Sequence, residues 1–281
     1  MKTISTIVDT RSYLQNQRDN GNTIGFVPTM GALHEGHLEL MRRAKSENDL
    51  LVVSVFVNPI QFNNPEDLKK YPRDINKDSR LLETVGCDVL FAPEVSEMYP
   101  EGEVTKTYNF GDLENVMEGS SRPGHFNGVG VVVSKLFDIC IPHKSYFGEK
   151  DFQQLAIIKK LVEIESIPVE IIPCPIVREN DGLAMSSRNQ RLTPEERLSA
   201  PFIYEVLKMA RDSKEFLCPN RMKQYVLNQF ADRKEFNVEY FEVADDINLK
   251  PIEHFQKDQG ALGFIAVNLG KVRLIDNIRI I

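Results

Sequence analysis

Thr23-Ile24-Gly25-Phe26-Val27-Pro28-Thr29-Met30-Gly31-Ala32-Leu33-His34-Glu35-Gly36-His37-Leu38-Glu39-Leu40-Met41-Arg42-Arg43-Ala44 is the stretch whose reading decides the fold. Thr23 to Val27 reads as a short buried strand, Pro28 to Gly31 as a turn, and Leu38 to Ala44 as a helix. A helix starting there aims free backbone N–H groups and the positive end of its dipole at whatever sits in the turn. His34 and His37, three residues apart around Gly36, add donors for charge developing on phosphorus oxygens. Gly36 removes a side chain where a nucleotide would approach the backbone. The pattern suits phosphate chemistry; the plainer reading makes the two imidazoles ordinary capping or surface groups.

Outward from this stretch, Leu50 to Val57 is an almost unbroken apolar run, the pattern of a strand covered on both faces in a parallel sheet. Asp74 to Val85 reads as a helix stopping at Gly86, and Cys87 to Ala92 as the next buried strand. Residues 128 to 140 have strand propensity, yet Val129, Val132, Val133, Leu136, Phe137 and Cys140 keep helical spacing, which predicts a buried helix. Ser145 to Phe147 reads as a strand, Leu155 to Ile164 as a helix and Val169 to Cys174 as another strand. Strands alternating with helices predict an α/β fold with a Rossmann-like, doubly wound parallel sheet over residues 1–176. Past residue 177 the pattern changes. Thr193-Pro194-Glu195-Glu196 is a capping box opening a helix to about Asp212, and a second helix follows Pro219. The chain then alternates through Val238, Tyr240 and Glu242 and ends in a hairpin around Gly270. Residues 177–281 thus form a smaller α+β domain, expected to close over the site.

Met185-Ser186-Ser187-Arg188-Asn189 lies where the two predicted domains meet. Its hydroxyls and the planar fork of Arg188 suit a triphosphate; alone, it also reads as the lead-in to the capped helix. Gly148-Glu149-Lys150-Asp151 follows a strand and opens a helix, which makes Lys150 a phosphate cation or one half of a solvated charge pair. Asn58 and Gln61, in an apolar frame, and Gln153 and Gln154 offer amides for hydroxyl and carboxylate recognition without added charge. Gln153 also reads as a surface glutamine. Arg122-Pro123-Gly124-His125-Phe126 is either a mobile lid or a plain connector. Asp78 is a candidate to hold a metal indirectly, or simply a solvated carboxylate.

The 281 residues, 42% of them hydrophobic, are enough for a sizeable core. The net charge of -7 argues against nucleic acid or an acidic membrane as main partner. The first residues carry charges where a signal peptide needs an apolar run, so a cytoplasmic location is expected. Cys87, Cys140, Cys174 and Cys218 are widely spaced and read as reduced core residues, and the other histidines are too scattered for structural zinc.

These blocks give the chain a resemblance. Pro28 to His37, Phe56 to Phe62, Tyr146 to Gln154 and Met185 to Asn189, in this order, resemble the pantoate–β-alanine ligases (pantothenate synthetases) of the H-x-G-H nucleotidyltransferase superfamily, over almost the whole length. The resemblance implies ATP-dependent condensation of (R)-pantoate with β-alanine, giving pantothenate, AMP and pyrophosphate, with Mg²⁺ and a homodimer. It implies that Met30, Gly31, Ala32, Leu33, His34, Glu35, Gly36, His37, Gly148, Glu149, Lys150, Asp151, Val177, Met185, Ser186, Ser187 and Arg188 contact ATP. It places Gln61 and Gln154 on pantoate, Gln61 also near β-alanine, and gives His37 a catalytic part. Charge on the reacting phosphate makes His34, Lys150 and Arg188 further catalytic candidates beside it, and the amide of Asn58 makes it a further candidate substrate contact. A class I aminoacyl-tRNA synthetase also pairs H-x-G-H with a later serine-containing loop, but it usually needs a tRNA-binding domain, for which this acidic chain offers no candidate.

Overall fold

A computed structural model describes residues 1–63, 65–213, 218–256 and 258–281. Six parallel strands, β1 (Lys2–Ile4), β2 (Ile24–Thr29), β3 (Leu50–Val55), β4 (Val89–Phe91), β5 (Lys144–Gly148) and β6 (Glu170–Cys174), form one sheet in the order β1-β4-β3-β2-β5-β6. The helices are α1 (Ile7–Asp19), α2 (Glu35–Glu47), α3 (Pro65–Lys70), α4 (Ile75–Thr84), α5 (Val95–Met98), α6 (Met117–Ser121), α7 (His125–Cys140), α8 (Phe152–Glu165), α9 (Pro194–Ser199), α10 (Phe202–Asp212) and α11 (Pro219–Ala231).

The continuous apolar strands have two covered faces. Phe26, Val52, Val89 and Phe91 pack with Leu14 of α1, Val132 and Phe137 of α7 and Ile158 of α8. Their neighbours Val27, Leu51, Val53 and Leu90 pack on the opposite face with Leu38 and Met41 of α2 and Leu82 of α4. The period of two therefore feeds two cores, which is the doubly wound arrangement. The same energetics decide α7. A helical valine costs at most about 0.7 kcal/mol of propensity, whereas burying it contributes about 1.5–3 kcal/mol. Val129, Val132 and Val133 are all buried.

From β2 the chain moves through β3 to β4 on one side, while β5 and β6 extend the sheet on the other. The carboxyl ends of β2 and β5, which pair directly, flank the switch point where ligands bind in open α/β sheets.

A second, antiparallel sheet contains β7 (Phe236–Asp245), β8 (Ala261–Leu269) and β9 (Val272–Arg279) in that order. Phe241, Val243 and Ile265 bury one face against Ile203 and Val206 of α10 and Val226 and Phe230 of α11. The two sheets' units meet through Phe264 of β8 on Phe152 of α8, ring centroids 5.9 Å apart, and through Asn277 of β9. The Asn277 amide donates to the carbonyls of Glu149 and Lys150 at 2.8 and 3.0 Å.

Several sequence expectations are corrected. The helix after the first turn begins at Glu35, not Leu38, with His34 as its N-cap. One helix expected from Pro194 to Asp212 is two, α9 and α10, because Pro201 has no N–H to continue the ladder. The loop from Asn58 to Pro72 contains a 3₁₀ turn, Pro59–Gln61, and α3. Val238 and Tyr240 do not share a face: a bulge at Glu239 sends Val238 to the α10/α11 core and Tyr240 to the junction between the sheets. β1 and α1 are additions for which the sequence pattern gives no sign.

Candidate active site

Both imidazoles sit on the first turn of α2. The His34 N–H donates to Nδ1 of His37 at 3.4 Å, and the rings lie 4.0 Å apart, centroid to centroid. Burial is the main force on their titration. It pulls His34 down to about 4, with Lys150 adding to it and Asp151 opposing. It pulls His37 down to about 3, aided by His34 and Lys150. At neutral pH both are uncharged. With Nδ1 of His37 accepting, its proton resides on Nε2, which makes that nitrogen a donor. Nδ1 of His34 is buried with no hydrogen-bond partner among the described residues. Gly36 sits in a tight place: a Cβ there would lie 3.0 Å from the His34 ring and 3.4 Å from Cβ of Met185, so either side chain would have to give way.

The turn ahead of the helix is braced by Asp78. This buried carboxylate accepts from the N–H of Ala32 at 3.0 Å and of Leu33 at 2.9 Å. Gly31 has φ +80, and a Cβ there would come 2.8 Å from Asp78; glycine is needed on both counts. Desolvation raises the Asp78 pKa, opposed by those two backbone bonds. The sequence offers Asp78 as an indirect metal holder or a solvated group. The structure shows it buried, not solvated, and bracing the turn.

Asn58 stands in the wall of the cavity. It is buried with its amide spent inside the protein: Nδ2 donates to Gln61 Oε1 at 3.1 Å and to the Gly128 carbonyl at 3.0 Å, and Oδ1 accepts from the Tyr99 hydroxyl at 2.9 Å. Its work is to orient Gln61, whose Nε2 lies 3.1 Å from Met30 Sδ. Gln153 is no surface residue. It is buried, accepts from the Glu118 N–H and donates to the carbonyls of Leu113 and Val116, which ties α6 to α8. Gln154, one residue on, faces the site.

These groups line a cavity of about 250 Å³. Met30, His34, Gly36 and His37 come from the first turn; Asn58, Gln61, Gly148, Lys150, Asp151 and Gln154 from the strand ends; Val177 and Met185 to Arg188 from the far wall. The far wall is held in place by Met185 N–H donating to Val177 O at 3.0 Å and by Arg178, bidentate to buried Asp276 at 2.7 and 3.0 Å. Lys150 Nζ lies 3.8 Å from Asp151. Lys150, Asp151, Gln154, Ser186 and Arg188 also line an adjoining cleft of about 580 Å³ between the two sheets' units. Ala32, Leu33, Glu35 and Glu149 do not line this cavity. Ala32 and Leu33 give their N–H groups to Asp78. Glu35 pairs with Arg42, and Glu149 turns its carbonyl to Asn277. Tyr71, which no motif in the sequence singles out, lines the cavity with its hydroxyl on Ser187.

Residues 2–279 match the family described as pantoate-beta-alanine ligase. The chain belongs to this family. Relatives named pantothenate synthetase are 47% identical in Porphyromonas gingivalis, over 99% of both chains, and 50% identical in Aquifex aeolicus, over 96% of both. Pantothenate synthetase from Thermus thermophilus superposes with a TM-score of 0.93 at 42% identity, over 100% of this chain and 99% of that one. A pantoate-beta-alanine ligase from Francisella tularensis, described as complexed with beta-gamma ATP and beta-alanine, gives 0.82 at 38% identity, over 99% and 97%.

Among the described residues no three His, Cys, Asp or Glu side chains converge to hold an ion. Mg²⁺ needs few protein ligands when phosphates supply the rest, so these residues fit an ion that would arrive with ATP. Among the described residues, no helix is long and apolar enough to cross a membrane.

Proposed function

We propose that this ligase joins (R)-pantoate to β-alanine in two steps, through an acyl adenylate. A pantoate carboxylate oxygen attacks the α-phosphorus of ATP; the new O–P bond forms as the bond to pyrophosphate breaks. The β-alanine amine then attacks the acyl carbon, the bond to AMP breaks, and the amine loses a proton as the amide forms.

One observation carries the reading: two half-buried histidines, held neutral by desolvation at a helix N-terminus, share a single cavity with Lys150, Arg188, Gln61 and Gln154. The first step must overcome repulsion between anions and accommodate charge on the departing pyrophosphate. Preorganised donors act on that charge without reorganisation, and Lys150 and Arg188 supply the positive counterpart. Neutral imidazoles donate without a competing proton equilibrium near pH 7. Gln61, oriented by Asn58, and Gln154 fix pantoate through its hydroxyls, leaving the carboxylate to react. No protein nucleophile is required, since the adenylate itself carries a good leaving group.

We assign residues 1–176 to the unit binding ATP and pantoate and residues 177–281 to the unit that covers the mixed anhydride and keeps water from it. The contacts of Asn277 with Glu149 and Lys150 support that division of labour. Mg²⁺ travelling with ATP, a homodimer and a cytoplasmic location complete the proposal; light scattering after size exclusion tests the dimer. The ligase reading itself is tested by isotope exchange between pyrophosphate and ATP. Exchange that depends on pantoate supports it, and exchange indifferent to pantoate, or none, contradicts it.

A further inference from the structure

The segment Arg122 to Phe126 carries chemistry that the two-step reading leaves unused. Nδ1 of His125 lies 2.8 Å from the backbone carbonyl of Gln61, and Nε2 lies 3.0 Å from Nη1 of Arg122. A carbonyl only accepts and a guanidinium only donates. The imidazole therefore holds its proton on Nδ1 and gives its other lone pair to Arg122. His125 is buried, and both nitrogens are engaged, so it bridges two groups and shuttles no proton. The second brace on Arg122 is Glu118, 3.9 Å away, itself clamped by Arg273 at 2.7 and 2.8 Å and by the Tyr240 hydroxyl at 2.8 Å.

Arg122 borders the 580 Å³ cleft, which shares Lys150 and Gln154 as lining residues with the catalytic cavity. A β-amino acid entering this way must bring its amine to the acyl carbon beside Gln61 while its carboxylate, two methylenes behind, leaves water. A buried carboxylate requires a partner. Arg122 is a cation on the cleft side whose position is set, through one imidazole, by the backbone of Gln61. Its distance from the acyl group is thus fixed by the residue that holds that group.

We propose that Arg122 binds the carboxylate of the incoming β-amino acid, and that the Arg122–His125–Gln61 chain acts as a ruler selecting the spacing between amine and carboxylate. This rests on the ligase reading above. Arg122 is a substrate-binding residue and His125 a positioning residue.

The test is Arg122→Gln, with Arg122→Lys beside it, in the full-length enzyme. Pantoate-dependent pyrophosphate exchange, measured with no amino acid present, reports the first step; AMP release against β-alanine concentration reports the second. Arg122→Gln is expected to keep the exchange while KM for β-alanine rises roughly 10- to 100-fold, the worth of one charged hydrogen-bonded contact. Its preference for β-alanine over 3-aminopropanol should collapse, and Arg122→Lys should restore part of it. His125→Gln should relax discrimination against 4-aminobutanoate. An unchanged KM for β-alanine overturns the proposal, as does loss of exchange in parallel with the overall reaction, since Arg122 would then serve the phosphates or the fold. Absence of pantoate-dependent exchange in the wild type would instead overturn the ligase reading.

Discussion

The backbone N–H of His34 donates to Nδ1 of His37 across the first turn of α2, at 3.4 Å, so a single local contact sets the tautomer of the second imidazole. What that nitrogen does for the helix and what Nε2 does for the substrate are therefore linked. His37→Ala is expected to lower pantoate-dependent pyrophosphate exchange about 10²- to 10³-fold, the usual cost of one donor aimed at transition-state charge. His34→Ala should fall in the same range. Circular dichroism and exchange measured on the same samples check both; near-wild-type exchange would remove the pair from the chemistry.

Because burial holds these imidazoles neutral, the exchange rate should show no histidine titration between pH 6 and 8. Stability should behave differently. His34, His37 and His125 have folded values of about 4, 3 and 4, below the ordinary histidine value of 6.5. Between the two values the unfolded chain binds more protons, so stability is fully present above pH 6.5 and is lost as the pH falls. From pH 6.5 to 5 each contributes at most about 2 kcal/mol to that loss. Urea unfolding at pH 7.5 and 5.0 measures it, and His37→Gln should shrink the difference. An equal difference in wild type and variant would mean that His37 is not held neutral.

The parts of this site that are legible in the sequence are the local ones. His34, Gly36 and His37 lie on one helical turn, and Ser186 to Arg188 lie in one polar loop, so spacing alone brings their groups together. The bracing partners are not local. Asp78 meets Ala32 and Leu33 from 46 and 45 residues away, Asn58 is satisfied by Gly128 and Tyr99, and Gln153 reads as solvent-facing until α6 is laid on it. Secondary structure divides the same way. α2, α4, α7 and α8 have apolar stripes; α1 buries only Thr10 and Leu14, and β1 only Ile4, too little for any periodicity to register. The bulge at Glu239 breaks an alternation that looks regular on paper.

Asp78→Asn tests the brace against the metal role. One of its two oxygens becomes an NH₂ facing a backbone N–H, which should cost about 1–3 kcal/mol of stability. The Mg²⁺ concentration giving half-maximal exchange should stay where it is. A marked rise in that concentration with unchanged stability would make Asp78 a metal-site residue after all.

Gln61→Ala should weaken pantoate far more than ATP, because its amide is aimed into the cavity beside Met30 while the cationic groups stand elsewhere. Asn58→Ala should reproduce part of the loss, and the double variant should be clearly less than additive, as expected for a residue acting through its neighbour. Separate calorimetric titrations with each substrate measure this. Equal losses for ATP and pantoate would assign Gln61 to the frame of the cavity.

The two-step route is tested most directly by rapid quench with ATP labelled at the α-phosphate, mixed with enzyme and pantoate in the absence of β-alanine. The predicted result is pyrophosphate release with label joined to pantoate on the enzyme, chased to AMP when β-alanine is added. If no labelled adenylate forms, and labelled AMP appears only when all three substrates are present, the intermediate does not exist and the cavity's donors serve a concerted reaction.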